Sequence, residues 1–224
     1  MQESVKTAEK SFLTKRFIAL VICVLLTGVG ASLMIEADIG VGAWDALAMS
    51  IGSLTGIEVG TVGMMMNITC IILQILILKK SFKIKNLLQI PLSILIGIVV
   101  NYILYRLFSG IEIDNYFMNL AMMLFGLIIV CFAISAIMLI DLITFPLEGL
   151  SMSIVLKSKY TFGIVRQFFD VFCVSASLGM TFLLHTPLTV REGTIISMLL
   201  FGPVVTIIMK WMKPLFRRME LTDM

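Results

Sequence analysis

Ionisable side chains inside apolar segments are the residues of this chain whose types and spacing suggest chemistry. Arg166 and Asp170 interrupt the apolar run at about 164–184 and stand four residues apart, so a helix would place them side by side. Charged residues in such a run are costly, and they often mark the path of an ion, a proton or a substrate. The pair therefore indicates either a ligand-binding position or a structural ion pair near the membrane surface.

Two further acids occupy equivalent places in two related stretches. Asp45 lies in VGAWDALAMSIG at 41–52, and Glu148 lies in TFPLEGLSMSIV at 144–155. An acid in the first turn of a helix stabilises the unpaired amides and the positive end of the dipole. Alternatively, both acids face a central cavity and bind a cation, a proton or an amine. The sequence leaves both interpretations open.

The composition explains why these charges stand out. The 224-residue chain is 59% hydrophobic and 14% charged, and its mean hydropathy is +1.07. Soluble domains contain roughly 45–50% apolar and about 25% charged residues. We therefore expect an all-α integral membrane protein that forms a single domain over residues 1–224.

Six segments approach the length of about 20 apolar residues that a membrane span requires. The fifth is weakened by Arg166 and Asp170, and we expect it to insert with help from its neighbours. The predicted spans are 17–35, 59–78, 87–105, 116–140, about 164–184 and about 193–212.

The basic residues predict the orientation of these spans. Fifteen of the seventeen Lys and Arg residues fall on alternating connections, which lie on one side of the membrane, and only Arg106 and Arg191 fall on the other. By the positive-inside rule, the basic side is cytoplasmic, and so are the predicted tails at 1–16 and 213–224. The net charge of +3 thus reflects topology and does not indicate nucleic-acid binding.

The chain also contains an internal repeat. A shift of 103 residues gives nine identities in the 39 positions between 32 and 70, and several of them are Asp, Ser or Gly, which are scarce in membranes. Two units, at about 17–107 and about 116–212, would each hold three spans and so be inverted relative to one another, an architecture of transporters. The aligned pairs include Asp38 with Asp141, Asp45 with Glu148, Gly60 with Gly163, Asn67 with Asp170 and Cys70 with Cys173.

A short helix is predicted after the first span of each repeat. It would lie flat at the interface with Trp44 at headgroup level, or it would re-enter the membrane, which requires burial against protein. Gly60 and Gly163 mark the points where each short segment turns into its following span.

Motifs for catalysis are missing from the sequence. The four cysteines lie in apolar runs without metal-ligand spacing, and the single histidine, His185, falls in a connection. The sequence contains no phosphate loop, nucleophile motif or zinc-type histidine pair. We therefore expect no enzyme activity, no cofactor and no metal.

Three features together resemble the YczE/YyaS/YitT group of bacterial membrane proteins: GVGAWD at 40–45, the three-span units, and REGT at 191–194 before a glycine-bearing last span. The resemblance covers essentially the whole chain, although the family more usually has proline at the position of Ala43. YitT-like members carry a soluble C-terminal domain after the last span. The twelve residues at 213–224 are too few for such a domain, so we expect the shorter YczE-like branch to fit better. The resemblance implies six spans in the bacterial cytoplasmic membrane and supplies no substrate.

The leading hypothesis is a small-solute transporter in the lipid bilayer with its site between the repeats. The alternative is a membrane accessory or regulatory protein that moves no solute and packs through small residues, such as Gly28, Gly30 and Ser32, against a second copy or another membrane protein. The candidate site residues are Asp170, Asn67, Asp45, Glu148, Arg166, Gly60 and Gly163.

Overall fold

The computed structural model describes residues 2–109, 115–219 and 221, with side chains from Phe12 onward. This described part is all-helical, with 83% of residues in helices and no strand. Its helices are α1 (Gln2–Glu36), α2 (Ala43–Thr55), α3 (Val59–Leu78), α4 (Gln89–Tyr102, continued by a π-helical turn at Ile103–Leu107), α5 (Tyr116–Ile140), α6 (Pro146–Val155), α7 (Phe162–Leu184) and α8 (Glu192–Arg218).

Six helices of the described chain are long and apolar enough to cross a membrane, as the sequence predicts. The least apolar of them is α7, which contains Arg166 and Asp170. Helices α1 and α8 continue beyond the predicted spans into the segments 1–16 and 213–224. The outermost positions of these two tails, residues 1, 220 and 222–224, lie outside the described residues.

Helices α1 and α5 form the centre of the bundle. Their most apolar stretches are 44% and 56% buried, whereas those of the other four spans are only 11–28% buried. The two helices cross at Gly30 and Gly126, where a Cβ on either glycine would approach the carbonyl oxygen of the other to 2.8 or 2.7 Å. Small residues permit this close approach, which is a common way of packing helices in membranes.

The two short helices pack reciprocally on spans of the opposite half. Helix α2 packs against α7, and α6 packs against α3. Leu47 of α2 shares a buried cluster with Cys173, about halfway along α7. Leu150 of α6 shares another with Cys70, about halfway along α3. The 103-residue shift pairs Leu47 with Leu150 and Cys70 with Cys173, so one contact occurs twice with the halves exchanged.

The N-terminal ends of α2 and α6 meet inside the bundle. Trp44, in the first turn of α2, packs on the cluster that contains Leu147 and Leu150 of α6. The two helices are about 20 and 15 Å long, which is roughly half of the 30 Å hydrocarbon layer or more. The first turns of both short helices are buried against protein, which is the condition that re-entrant segments must meet.

The non-helical backbone that leads into α2 is held by the start of α8. The Gly193 amide donates to the Ile39 carbonyl oxygen at 2.8 Å, and the Arg191 guanidinium donates to the carbonyl oxygen of Asp38 and lies 3.1 Å from its carboxylate. Gly40 has φ +114°, and a Cβ there would be 2.6 Å from the Thr194 amide nitrogen. The stretches GVGAWD and REGT therefore contact each other. The contact supplies hydrogen-bond donors to the non-helical backbone that leads into α2, and such backbone must be hydrogen-bonded inside a membrane.

Candidate functional site: a cavity between the two halves

A cavity of about 600 Å³ lies between the two halves, and all eight helices contribute to its walls. Its size falls within the range of small-molecule sites, which is about 300–1,000 Å³. All seven candidate residues from the sequence line it: Asp45, Gly60, Asn67, Glu148, Gly163, Arg166 and Asp170.

Arg166 is the centre of the charged part of the wall. Its Nε lies 3.5 Å from Oε1 of Glu148 on α6, and its Nη1 donates to the Asp170 carboxylate one helical turn away. The three side chains are 15–21% exposed, so the group is largely desolvated but still reaches the cavity. The intrahelical ion pair expected from the sequence is thus present, and it extends to the short helix of the same half.

Asp45 differs from these acids because it makes no hydrogen bond or ion pair with any residue that the structure describes. Burial raises the pKa of Asp45 to about 6, and the positive field of Arg166 opposes part of that rise. Its carboxylate is therefore mostly ionised at neutral pH yet has no counter-ion in contact. A protonation step or a positively charged ligand would stabilise it.

Elsewhere in the cavity wall, α3 and α4 pack closely against each other around Gly60. A Cβ at Gly60 would be 2.3 Å from the Gly97 carbonyl oxygen. The Gly60 amide donates to Oδ1 of Asn101 at 2.7 Å, and Nδ2 of Asn101 donates to Thr61 at 2.9 Å. Asn101 is therefore an interhelical hydrogen-bonding residue.

The corresponding contact in the second half is open. Gly163 near the start of α7 and Gly202 in α8 both line the cavity. An added Cβ at either position would meet no heavy atom within 4 Å outside the glycine's immediate surroundings in its own helix. Helices α7 and α8 do not pack along one another in the described chain, whereas α3 and α4 do.

Three polar side chains of importance were not singled out from the sequence. Ser197 lines the cavity, is 3% exposed, and its Oγ has no hydrogen-bond partner in the described part of the chain. Gln74 and Gln89 are fully buried and hydrogen-bonded to each other at 2.9 Å, and Gln74 also donates to the Pro146 carbonyl oxygen at 3.0 Å. The two glutamines could have been identified from the sequence, because polar residues inside apolar spans are rare and often functional.

Gln74 and Gln89 hold the start of α6 in place. A Cβ at Gly149 would lie 2.8–3.0 Å from the side-chain amide of Gln74, so the glycine in α6 leaves room for this buried side chain. The network therefore fixes the neighbouring Glu148 beside Arg166.

Comparison with known proteins gives a family but no activity. No curated protein matches the chain, and no solved structure matches it. Residues 14–210 match DUF6198, a family of unknown function, and the chain belongs to that family.

Proposed function

We propose that this protein is a transporter of a small solute and that the solute binds in the central cavity. The observation that carries the proposal is the convergence of the first turns of α2 and α6, with Asp45, Glu148, Arg166 and Asp170, on one cavity between the two halves. In transporters built from inverted repeats, substrate sites are formed by broken or half-length helices near the bilayer midplane.

The inverted-repeat organisation is part of this proposal. It is supported by the reciprocal packing of α2 on α7 and of α6 on α3, and by the exchanged pairs Leu47 with Cys173 and Leu150 with Cys70. It is also supported by Asp38 and Asp141, which follow α1 and α5 and both adopt left-handed backbone, with φ of 46° and 50°.

We further propose that the basic side of the bundle faces the cytoplasm of a bacterium, following the positive-inside rule. Gly163 lies at the start of α7 on that side, so the gap between α7 and α8 would admit solute from the cytoplasm. Gly60 lies at the opposite end, where α3 and α4 are closed. If α7 and α8 closed and α3 and α4 separated, the cavity would be exposed to the other side of the membrane.

Kinship with the short, YczE-like branch also remains a proposal. Its support is that the two stretches carrying the resemblance, GVGAWD and REGT, are in contact around Gly40, Arg191 and Gly193. A contact between two family-typical motifs gives a structural reason for their occurrence together.

The accessory alternative requires a different arrangement. A purely structural Arg166–Asp170 pair would sit in a sealed interface, with no water-accessible space beside it. Here the pair lines a cavity together with the polar residues of the other half, which favours transport. We likewise propose no enzymatic role for these residues.

A solute screen tests the proposal directly. The purified full-length protein would be screened by thermal shift against charged, zwitterionic and neutral solutes, and hits would be tested for uptake into proteoliposomes. A ligand at 100 times its dissociation constant stabilises the folded state by about 2.7 kcal/mol. We expect a hit that shifts the wild type, shifts Asp170→Asn and Glu148→Gln much less, and is taken up by the vesicles.

The matched control is Asp141→Asn, which changes an exposed acid outside the cavity. It should bind and transport like the wild type. Binding without uptake for every hit would contradict the transporter and favour the accessory protein.

A further inference from the structure

The charge balance of the cavity wall identifies the class of ligand that would bind there, an inference that rests on the proposed function. Three carboxylates and one guanidinium line the cavity. Of the acids, Glu148 and Asp170 are paired with Arg166, and Asp45 is not. If all are ionised, these side chains leave two negative charges uncompensated.

Helix dipoles reduce this excess without removing it. The N-termini of α2 and α6 both point to the cavity region, and a helix N-terminus is equivalent to roughly half a positive charge. The two termini together offset about one of the two negative charges. The remaining charge of about −1 favours a ligand with a single positive charge, although isolated half-helix N-termini would attract an anion.

The remaining walls favour an organic cation over a metal ion. Trp44, Phe145, Phe162 and Phe201 line the cavity, and an aromatic face attracts a cation within about 6 Å. No group of three or more His, Cys, Asp or Glu side chains suited to hold a metal occurs among the described residues. An apolar wall cannot replace the water shell of a small hard ion, but it stabilises an apolar body.

Ser197 is an independent indication of a ligand. Its side chain lines the cavity and is 3% exposed, and its hydroxyl group is unpartnered in the described chain. A buried polar group without a partner is unfavourable, because it has lost its hydrogen bonds to water and gained none in their place. A ligand that carries a hydrogen-bonding group beside its charge would satisfy it.

We propose that the cavity binds a hydrophobic organic monocation of the amine or quaternary ammonium type. Its charged centre lies at Asp45, between the first turns of the two short helices, and its apolar body lies against Trp44 and the phenylalanines of the wall. Asp45 is the residue that determines the sign of the ligand's charge, whereas Arg166 together with the two helix dipoles offsets the charges of Glu148 and Asp170.

Two ions of the same shape and opposite charge test this proposal. Binding of tetraphenylphosphonium and of tetraphenylborate to the full-length protein in nanodiscs would be measured by calorimetry, with empty nanodiscs subtracted because both ions partition into lipid. We expect saturable binding of the phosphonium and none of the borate. Equal or tighter binding of the borate would overturn the proposal.

Variants of Asp45 locate the charge. Asp45→Asn should weaken phosphonium binding at least tenfold, Asp45→Glu should restore most of it, and Asp141→Asn should leave it unchanged. Unchanged affinity in Asp45→Asn would overturn the assignment of the site, because the variant keeps the shape of the side chain and removes only its charge.

The pH dependence gives a further test, since tetraphenylphosphonium has no titratable group. Glu148 on α6 and Arg166 and Asp170 on α7 are the other charged groups of the cavity wall in the described chain, where α3 and α8 supply none. With the pKa of Asp45 near 6, affinity should fall about tenfold between pH 7.5 and pH 5 as this acid is protonated. Affinity that rises on acidification would contradict the proposal.

The two proposals fail separately. Phosphonium binding that depends on Asp45, without flux of any cation in proteoliposomes, would remove the transporter and leave the cation site. Uptake of an anionic or neutral solute, with no phosphonium binding, would leave the transporter and remove the cation site.

Discussion

The two halves of the bundle differ at the glycines of their last two spans. In the first half, Gly60 of α3 and Gly97 of α4 are buried, and a Cβ on either would approach the backbone oxygen of the other to 2.3 or 2.6 Å. In the second half, Gly163 of α7 and Gly202 of α8 are exposed and separated by open space.

This difference teaches that the glycines do not by themselves determine whether the helices close. Both halves supply a glycine at the second position of the span after the short helix and another in the middle of the next span. In the closed pair the Gly60 amide donates a hydrogen bond to Asn101, and Asn101 donates one to Thr61. A shift of 105 residues, which pairs Gly97 with Gly202, places Thr206 of α8 at the position of Asn101, and Thr206 bonds to its own helix. The open pair offers little steric resistance to closing, as the proposed alternating exposure of the cavity would require.

The largest expected effect is a cross-link across the open pair. The four native cysteines would first be replaced by alanine, and Gly163→Cys and Gly202→Cys would then be introduced together. When membranes that contain this variant are treated with an oxidant, we expect most of the protein molecules to form a disulfide between the two new cysteines. A disulfide needs Cα atoms about 4.4–6.8 Å apart, so it forms only if α7 and α8 close. The fraction of cross-linked protein would be measured from its altered mobility in electrophoresis without reductant.

The control for this cross-link pairs Gly202→Cys with Gly179→Cys, which lies near the other end of α7. This control pair should stay reduced. A bundle fixed in the open arrangement would give no cross-link in either pair, and the alternation would then be wrong.

Alanine substitutions test the closed pair and come next in size. Gly60→Ala should destabilise the protein by about 1–3 kcal/mol, since its methyl group meets backbone that cannot move without separating α3 and α4. Thermal unfolding in detergent should show a loss of several degrees. Gly163→Ala is the matched variant, and a comparable loss there would mean that the second pair is closed in solution.

A smaller effect should distinguish the two short helices. Asp45→Asn should raise the melting temperature by a few degrees at pH 7.5, whereas Glu148→Gln should lower it because Arg166 loses a partner. A carboxyl group whose folded pKa is raised destabilises the fold above that pKa and not below its unfolded value. With values of about 6 and 3.8, the gain from Asp45→Asn should shrink between pH 6 and pH 4.

This pair of variants is checked by melting curves at several pH values. The same change in both variants would mean that Asp45 is also paired, against the structure. A gain from Asp45→Asn that is independent of pH would place its origin in packing and not in charge.

The smallest effect concerns the loops that enter the short helices. Arg191→Gln removes the contacts with the carbonyl oxygen and carboxylate of Asp38 and should cost about 0–1 kcal/mol, as exposed ion pairs do. Asp141, the counterpart of Asp38, makes no ion pair in the described chain, so Asp141→Asn should be neutral. Hydrogen exchange of residues 37–42 would detect the loosening, and equal exchange in both variants would contradict it.

Much of the architecture was predictable because membranes impose strong rules on sequence. The six spans follow from apolar length, and the Arg166–Asp170 pair follows from a spacing of four residues on a helix. The sequence did not decide whether Asp45 and Glu148 face one cavity or stabilise the first turns of their own helices. Periodicity reports which residues share a face of one helix, and it does not report what that face meets.

The sequence by itself determined the all-helical character of the chain, the six helices long and apolar enough to cross a membrane, and the Arg166–Asp170 pair. It also predicted a correspondence between the two halves, which stays a prediction. Only the tertiary structure decided that the short helices meet inside the bundle at Trp44 and Leu147, that Asp45 lacks a partner, and that one glycine pair is closed and the other open. The physical reason is range: hydropathy and helical spacing act within a segment, whereas burial, ion pairing and helix contact depend on residues about one hundred positions apart.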